Sequence, residues 1–177
     1  MSAAHVVTTT SRPEFLDPDG GDRTFRATVY DLLAVGARMQ DVRDYLAAQI
    51  GVSGPQYAIL MAIFHLQEEL GGAGVRAVGR RLHVSGPFVT AQANRLVELG
   101  LVEKRPNPLD GRGVWLCLTE DGSHRISHAA PVIQEANDAF FATLSKVDFL
   151  VLGDIAARLE KSSDRVGKRL KESPGKA

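Results

Sequence analysis

The chain has one cysteine, Cys117, in 177 residues, so no disulfide can form within it. It also lacks a long hydrophobic run. The longest strongly apolar stretch, Tyr57 to Phe64, is too short to span a bilayer. The opening residues, MSAAHVVTTTSRPEF, have no apolar segment of the secretory-signal kind. The expectation is a cytoplasmic protein with no membrane partner. Net charge is absent as well, with 21 basic residues against 21 acidic ones, so no overall positive field draws the chain to nucleic acid. Catalytic motifs are missing: there is no phosphate-binding glycine loop of the P-loop kind, no G-x-S-x-G elbow and no recognisable triad. These absences argue against an enzyme, and nothing calls for a cofactor. No internal repeat is visible.

What is present is concentrated in one stretch. Between Arg76 and Arg112 there are seven basic residues (Arg76, Arg80, Arg81, Arg95, Lys104, Arg105, Arg112) and three acidic ones (Glu98, Glu103, Asp110), a local charge of +4. A positive patch on a neutral chain favours contact with phosphates at one place. The same stretch, VRAVGRRLHVSGPFVTAQANRLVELGLVEKRPNPLDGRGVWLCLT, reads as a short helix, a turn, a second helix and two strand-like runs around a Pro- and Gly-rich tip. That order is the signature of a winged helix-turn-helix, whose second helix is shaped for the DNA major groove.

The rest of the chain flanks this unit. Residues 1–23 are polar, with Thr8-Thr9-Thr10, Pro13, Pro18 and Gly20-Gly21, and read as a flexible arm. Residues 24–52 form a dimerisation helix with Phe25, Val29, Leu32, Gly36, Met39, Leu46 and Ile50 on one face, stopped by Gly51. The winged unit, 53–119, opens at Ser53-Gly54-Pro55 with a helix that is apolar almost all round and therefore central. Gly71, Gly72 and Gly74 break the chain after it. Residues 120–172 hold two further dimerisation helices. In the first, Ile126, Ala129, Ala130, Ile133, Phe140, Phe141 and Leu144 share a face, and Pro131 predicts a kink. The second runs from about Val147 to Leu170, with Leu152, Ile155, Leu159 and Val166. Residues 173–177 are a tail. The fold class is mainly α with a small β-wing. The end helices carry more apolar face than one small domain needs, which predicts a homodimer.

Within the second helix of the unit, Val89, Ala93, Leu96 and Gly100 fall on one side at 100° per residue and should pack inward. Pro87, Ala91, Asn94, Arg95 and Glu98 point outward, with Thr90 and Gln92 at the borders. Ser85 is a good N-cap, and Pro87 is tolerated in the first turn. An outward Asn or Gln can pair with adenine, and Arg with guanine or phosphate. Leu101 to Arg105 and Val114 to Leu118 alternate like a hairpin, and Asp110-Gly111 is a turn signal between them. Lys104 and Arg105 lie on the first of these strands. Arg112 sits beside the tip, placed for a minor groove.

Taken together, Leu82-x-Val84-Ser85, Val89-Thr90, Leu96, Gly100-Leu101-Val102, Pro108-x-Asp110-x-Arg112 and Leu118-Thr119-x-x-Gly122 resemble the MarR family of bacterial transcription regulators. The resemblance runs over roughly residues 25 to 170. It implies a homodimer whose winged units bind a pseudo-palindromic operator in double-stranded DNA, most often as a repressor released by a small ligand such as an aromatic acid. By position, Ser85, Thr90 and Arg95 match the family's recognition helix, and Asp110 and Arg112 its wing tip, where the Asp orients the Arg. The chain departs from the pattern at Ala91, where many members have Arg or another polar residue, at Asn94, where Asp is common, and at Gly111, a frequent Arg.

Other constellations carry less. Arg43 lies on the apolar face of the first helix. A structural ion pair or a snorkelling stem is favoured for it over a carboxylate anchor for an effector. Under the second reading, Met39, Tyr57, Met61 and Phe64 would line an effector cavity, with Arg43 and His65 supplying polarity for an aromatic acid or its thioester. Glu120, His124 and His128 share a helix face, a weak metal candidate beside the favoured reading of a solvated face. Cys117 alternates within a wing strand and is read as structural. The basic run Lys161, Arg165, Lys168, Arg169, Lys171 is read as a solvated helix end. The rival classes are a winged-helix module that binds protein rather than DNA and, remotely, an enzyme.

Overall fold

The structure, a computed structural model, describes residues 7–108 and 113–172, apart from the side chains at 164, 168, 170 and 171. The chain divides into two compact units, Met1–Ile133 and Gln134–Ala177. The first holds α1 (Arg23–Ile50), α2 (Gly54–Leu70), β1 (Ala73–Gly74), α3 (Val75–Leu82), α4 (Gly86–Glu98), β2 (Val102–Pro106), β3 (Val114–Leu118) and most of α5 (Glu120–Phe141). The second holds the end of α5 and α6 (Lys146–Glu172). This is the mainly helical architecture with a small wing that the sequence predicts.

The core of the first unit is built on α2. The backbone N–H of Ser53 donates to Gln56 Oε1 at 2.9 Å, closing the helix start. Pro55 occupies the first turn, and Gly71 ends the helix in the left-handed conformation, φ 80°. Tyr57, Ile59, Leu60, Ala62, Ile63 and Leu66 are all buried, against α1, α3, α4 and β3. Each large aliphatic side chain contributes about 1.5–3 kcal/mol by leaving water. Burial also pushes the Tyr57 hydroxyl pKa upward, keeping it neutral.

The glycines read as a chain break also supply a strand. Ala73–Gly74 pairs antiparallel with β3, so the sheet has three strands in the order β1-β3-β2. Gly72 is required because a Cβ there would collide with the Trp115 ring. β2 and β3 pair from Val102↔Leu118 to Pro106↔Val114. Leu116, Cys117 and Leu118 are buried. Burial raises the Cys117 thiol pKa, which keeps it protonated and unreactive.

Three features add to the sequence reading. The first helix buries Leu46, Ala47 and Ile50; among the described residues none covers Val29, Leu32 and Met39, which are exposed. The polar residues before it make specific contacts where the sequence suggests a featureless arm. A short 3-10 turn, Pro13–Phe15, stacks Phe15 on Phe25 with ring centroids 5.7 Å apart. Asp22, only 1% exposed, accepts from the backbone N–H of Thr9 at 2.5 Å and from its hydroxyl at 2.6 Å. In α5, Pro131 lies inside the helix, as the sequence places it, and the helix runs on to Phe141.

In the second unit, Ser145 and Asp148 cap α6 reciprocally: Asp148 N–H donates to Ser145 Oγ at 3.2 Å and Ser145 N–H to Asp148 Oδ2 at 3.0 Å. Asn137, Asp138, Phe141 and Phe149 line a cavity of about 500 Å³. Val147, Phe149, Leu150, Val151, Leu152, Ile155 and Leu159 of α6 are exposed. Among the described residues, no single helix is long and apolar enough to cross a membrane; α1 and α2 pass that test only as a pair bent by 79°.

Candidate nucleic-acid interface

The geometry of the reading helix begins in the turn before it. α3 ends at His83, whose left-handed backbone, φ 53°, reverses the chain within three residues. The Val84 N–H donates to the Gly79 carbonyl at 3.0 Å, and a Cβ on Gly79 would stand 3.0 Å from the Val84 carbonyl oxygen. Glycine at 79 therefore lets the turn close tightly. Ser85 then caps α4, its hydroxyl accepting from Phe88 N–H at 3.3 Å. Val89, Ala93 and Leu96 are buried, which anchors α4 on the core and fixes its rotation. Gly100, expected on the same side, is exposed and left-handed (φ 71°), because the helix has already ended at Glu98.

With that rotation, Pro87, Thr90, Ala91, Asn94, Arg95 and Glu98 are exposed, and Gln92 is half-buried. Several of these side chains already have partners. Arg95 pairs with Glu98 at 3.0 Å. Lys104 Nζ, reaching from β2, donates to Asn94 Oδ1 at 2.6 Å. That oxygen is the acceptor Asn94 would offer to adenine, so Lys104 would share it or turn away to a phosphate when such a pairing forms. Arg105 donates to Glu103 within β2. Arg76 and Arg80 of α3 are exposed on the same unit, and Arg81 is held by Glu69 at 2.9 Å. Asp110 and Arg112 lie outside the described residues. The sequence reading missed Phe88, which is 38% exposed at the start of α4; an aromatic in a helix pattern reads as core, and only the rotation of α4 shows otherwise.

The remaining candidates differ in exposure. Tyr57 is buried, Met61 and Phe64 are half-buried, and Met39 and His65 are exposed. Arg43 is half-buried and pairs with its own neighbour Asp44 at 3.2 Å. Both side chains lie against Gly54, which has no room for a Cβ. The rings of His124 and His128 are 6.5 Å apart on an exposed face with Glu120. Among the described residues no three His, Cys, Asp or Glu side chains are grouped to hold a metal ion.

A sequence profile of the MarR family matches residues 50–113, which takes in α2, the helix-turn-helix and the first wing strand. Over these residues the chain resembles the MarR family, and its fold is a winged helix-turn-helix. The HTH-type transcriptional regulator YdcH of Bacillus subtilis is 34% identical over 66 residues, 37% of this chain and 45% of that protein. The chain thus matches less than half the length of this curated relative. Among solved structures, MepR of S. aureus, determined as a DNA complex, superposes with a TM-score of 0.65 at 16% identity, over 76% of this chain and 94% of that one. A mutant MarR of E. coli complexed with operator DNA gives 0.61 at 20% identity, over 72% and 89%. PcaV of Streptomyces coelicolor, in complex with its natural ligand, gives 0.57 at 26% identity, over 73% and 91%. The MarR fold therefore extends well beyond the 64 residues of the profile match.

Proposed function

We propose that this protein is a MarR-type transcription regulator that binds a pseudo-palindromic operator in double-stranded DNA as a homodimer. One observation carries the reading: α4 is anchored by Val89, Ala93 and Leu96 so that its opposite face stands open, on a winged unit with exposed Arg76, Arg80, Arg95, Lys104 and Arg105. In this reading Ser85, Pro87, Thr90, Gln92, Asn94 and Arg95 enter the major groove. Lys104 and Arg105 meet phosphates, and Arg112, oriented by Asp110, enters the minor groove. The DNA complexes of MepR and MarR support it by likeness of fold.

The test is a mobility shift and footprint on the DNA upstream of the protein's own gene, against sheared competitor. A selective shift that weakens steeply with salt is expected. Absence of any shift at low salt overturns the reading and favours a protein-binding module.

The regulation we propose is repression relieved by a small aromatic acid or its thioester, held near Met39, Arg43, Tyr57, Met61, Phe64 and His65. The ligand complex of PcaV supports a ligand-responsive mode by likeness. Release requires that the ligand bind the DNA-incompetent state more tightly, so the operator must lower ligand affinity by the same factor. Calorimetry of wild type and Arg43→Ala against a panel of such acids and thioesters checks this. Unchanged affinity in the variant removes Arg43 from the site, and no binding across the panel overturns the ligand class.

A further inference from the structure

At the start of α4 both hydroxyl side chains already hold a backbone partner. Ser85 Oγ accepts the Phe88 N–H, and the Thr90 hydroxyl donates to the Gly86 carbonyl at 3.0 Å. Gln92 is half-buried on the flank toward the core. Beside Thr90, what these turns expose is apolar. Pro87, Phe88 and Ala91 share an arc of about 100° on the outward side of the helix, and all three are exposed. Phe88 forgoes the burial its ring would gain in the core, being 38% exposed. The exposed cations of the same unit, Arg76, Arg80, Arg95 and Lys104, complement phosphates at the rim of a groove. A small apolar tip within a cationic unit matches an apolar feature on a groove floor. The major groove offers one such feature, the C5-methyl group of thymine, which phenylalanine and alanine side chains recognise by contact.

We infer that Phe88, flanked by Pro87 and Ala91, reads the 5-methyl group of a thymine in each operator half-site. The inference rests on the DNA-binding reading and adds the base feature that the first turn of α4 selects. Uracil is the discriminating probe, because it keeps every hydrogen-bonding group of thymine and lacks only the methyl.

The experiment starts from a duplex selected by the wild-type protein from random sequence. Each thymine is replaced in turn by uracil, and affinities are measured for wild type, Phe88→Ala and Phe88→Leu. At one position per half-site, uracil should weaken wild-type binding roughly fourfold, and about 15-fold when both half-sites are changed, the equivalent of one buried methyl each. Phe88→Ala should be indifferent to the change at that position, while Phe88→Leu keeps part of the preference. Thymine and uracil duplexes are compared on the same protein, so a loss of folded fraction in a variant cancels. Equal penalties in wild type and Phe88→Ala, or no penalty anywhere in wild type, would overturn the inference while leaving DNA binding intact. If the wild type selects no duplex at all, the regulator reading fails and the inference with it.

Discussion

Arg95 and Glu98 show how little would hold a side chain that, on the proposed function, reads DNA. Their ion pair at 3.0 Å is exposed on both sides, and such surface pairs contribute only about 0–1 kcal/mol. Arg95 can therefore exchange Glu98 for a phosphate or a guanine at small cost, whereas Glu98 would repel a DNA backbone docked there. Glu98→Gln should bind operator several-fold more tightly and random DNA tighter still, so that the ratio between them falls; unchanged binding to both would show that this turn of α4 stays away from phosphates. A different residue-scale device sits at Asp22. The Thr9 hydroxyl, then the Thr9 backbone N–H, hold its carboxyl pKa below the ordinary 3.8, against the opposing effect of burial and with help from Arg26. A depressed carboxylate pKa stabilises the fold above the unfolded value and loses that contribution as pH falls through the folded value. Thr9→Val should therefore be less stable than wild type at neutral pH, with the difference closing only below about pH 4. Denaturant titrations at several pH values check this, and a difference that widens on acidification would refute the linkage.

The same logic at the level of elements centres on the junction between the wing and α5. The Thr119 hydroxyl donates to the Gly100 carbonyl at 2.6 Å and accepts the Gly122 N–H at 3.0 Å. Thr119 N–H donates to the Leu101 carbonyl at 3.1 Å. One residue thus ties the exit of α4 to the start of α5. Gly122 lies directly on the Leu101 carbonyl, where a Cβ would collide with backbone. Gly122→Ala should cost about 1–3 kcal/mol, as overpacking does, and Thr119→Val about 0.5–2 kcal/mol through the lost cap; wild-type melting of Gly122→Ala would remove this junction as a constraint. Thr119 and Gly122 were legible in the sequence as parts of one motif, but the collision that demands glycine was not. The pattern is general here. Helical periodicity placed Val89, Ala93 and Leu96 inward because an apolar stripe at that spacing has few other homes. It failed at Gly100, since periodicity does not say where a helix stops. Ser53, Gly51 and Gly71 mark their helix ends because capping is a local effect of single residues. The strand at Ala73–Gly74 was illegible because two residues carry no alternation and exist as strand only through β3. The contacts of Thr9 with Asp22 join residues 13 apart in a polar stretch, where composition has no period to read.

For the molecule as a whole, the exposed apolar surface is the unresolved quantity. Tyr30 is 69% exposed, Leu33 65% and Leu150 63%, with Val29, Leu32, Val35, Met39, Val147 and Phe149 also open to water. Apolar side chains repeated at helical spacing over two long helices exceed the scattered exposure that monomers tolerate. Two copies that cover these faces remove the cost, and a two-fold pair also presents two reading helices to the two halves of a pseudo-palindrome. Light scattering at micromolar concentration should give about twice the 19.1 kDa chain mass. A carboxylate introduced at Leu33 or Leu150 would have to be buried without a partner, so Leu33→Asp and Leu150→Asp should shift the protein toward monomer. Neither residue lies in the winged unit, so each half of the reader stays intact. What is lost is the joint engagement of two half-sites, worth a factor of about 10²–10⁴ in linked binding. Operator affinity of the two variants should therefore fall by that order, while affinity for a single half-site at low salt stays close to wild type. A clean monomer in the wild type, or full operator affinity in both monomeric variants, would show that one copy reads DNA alone.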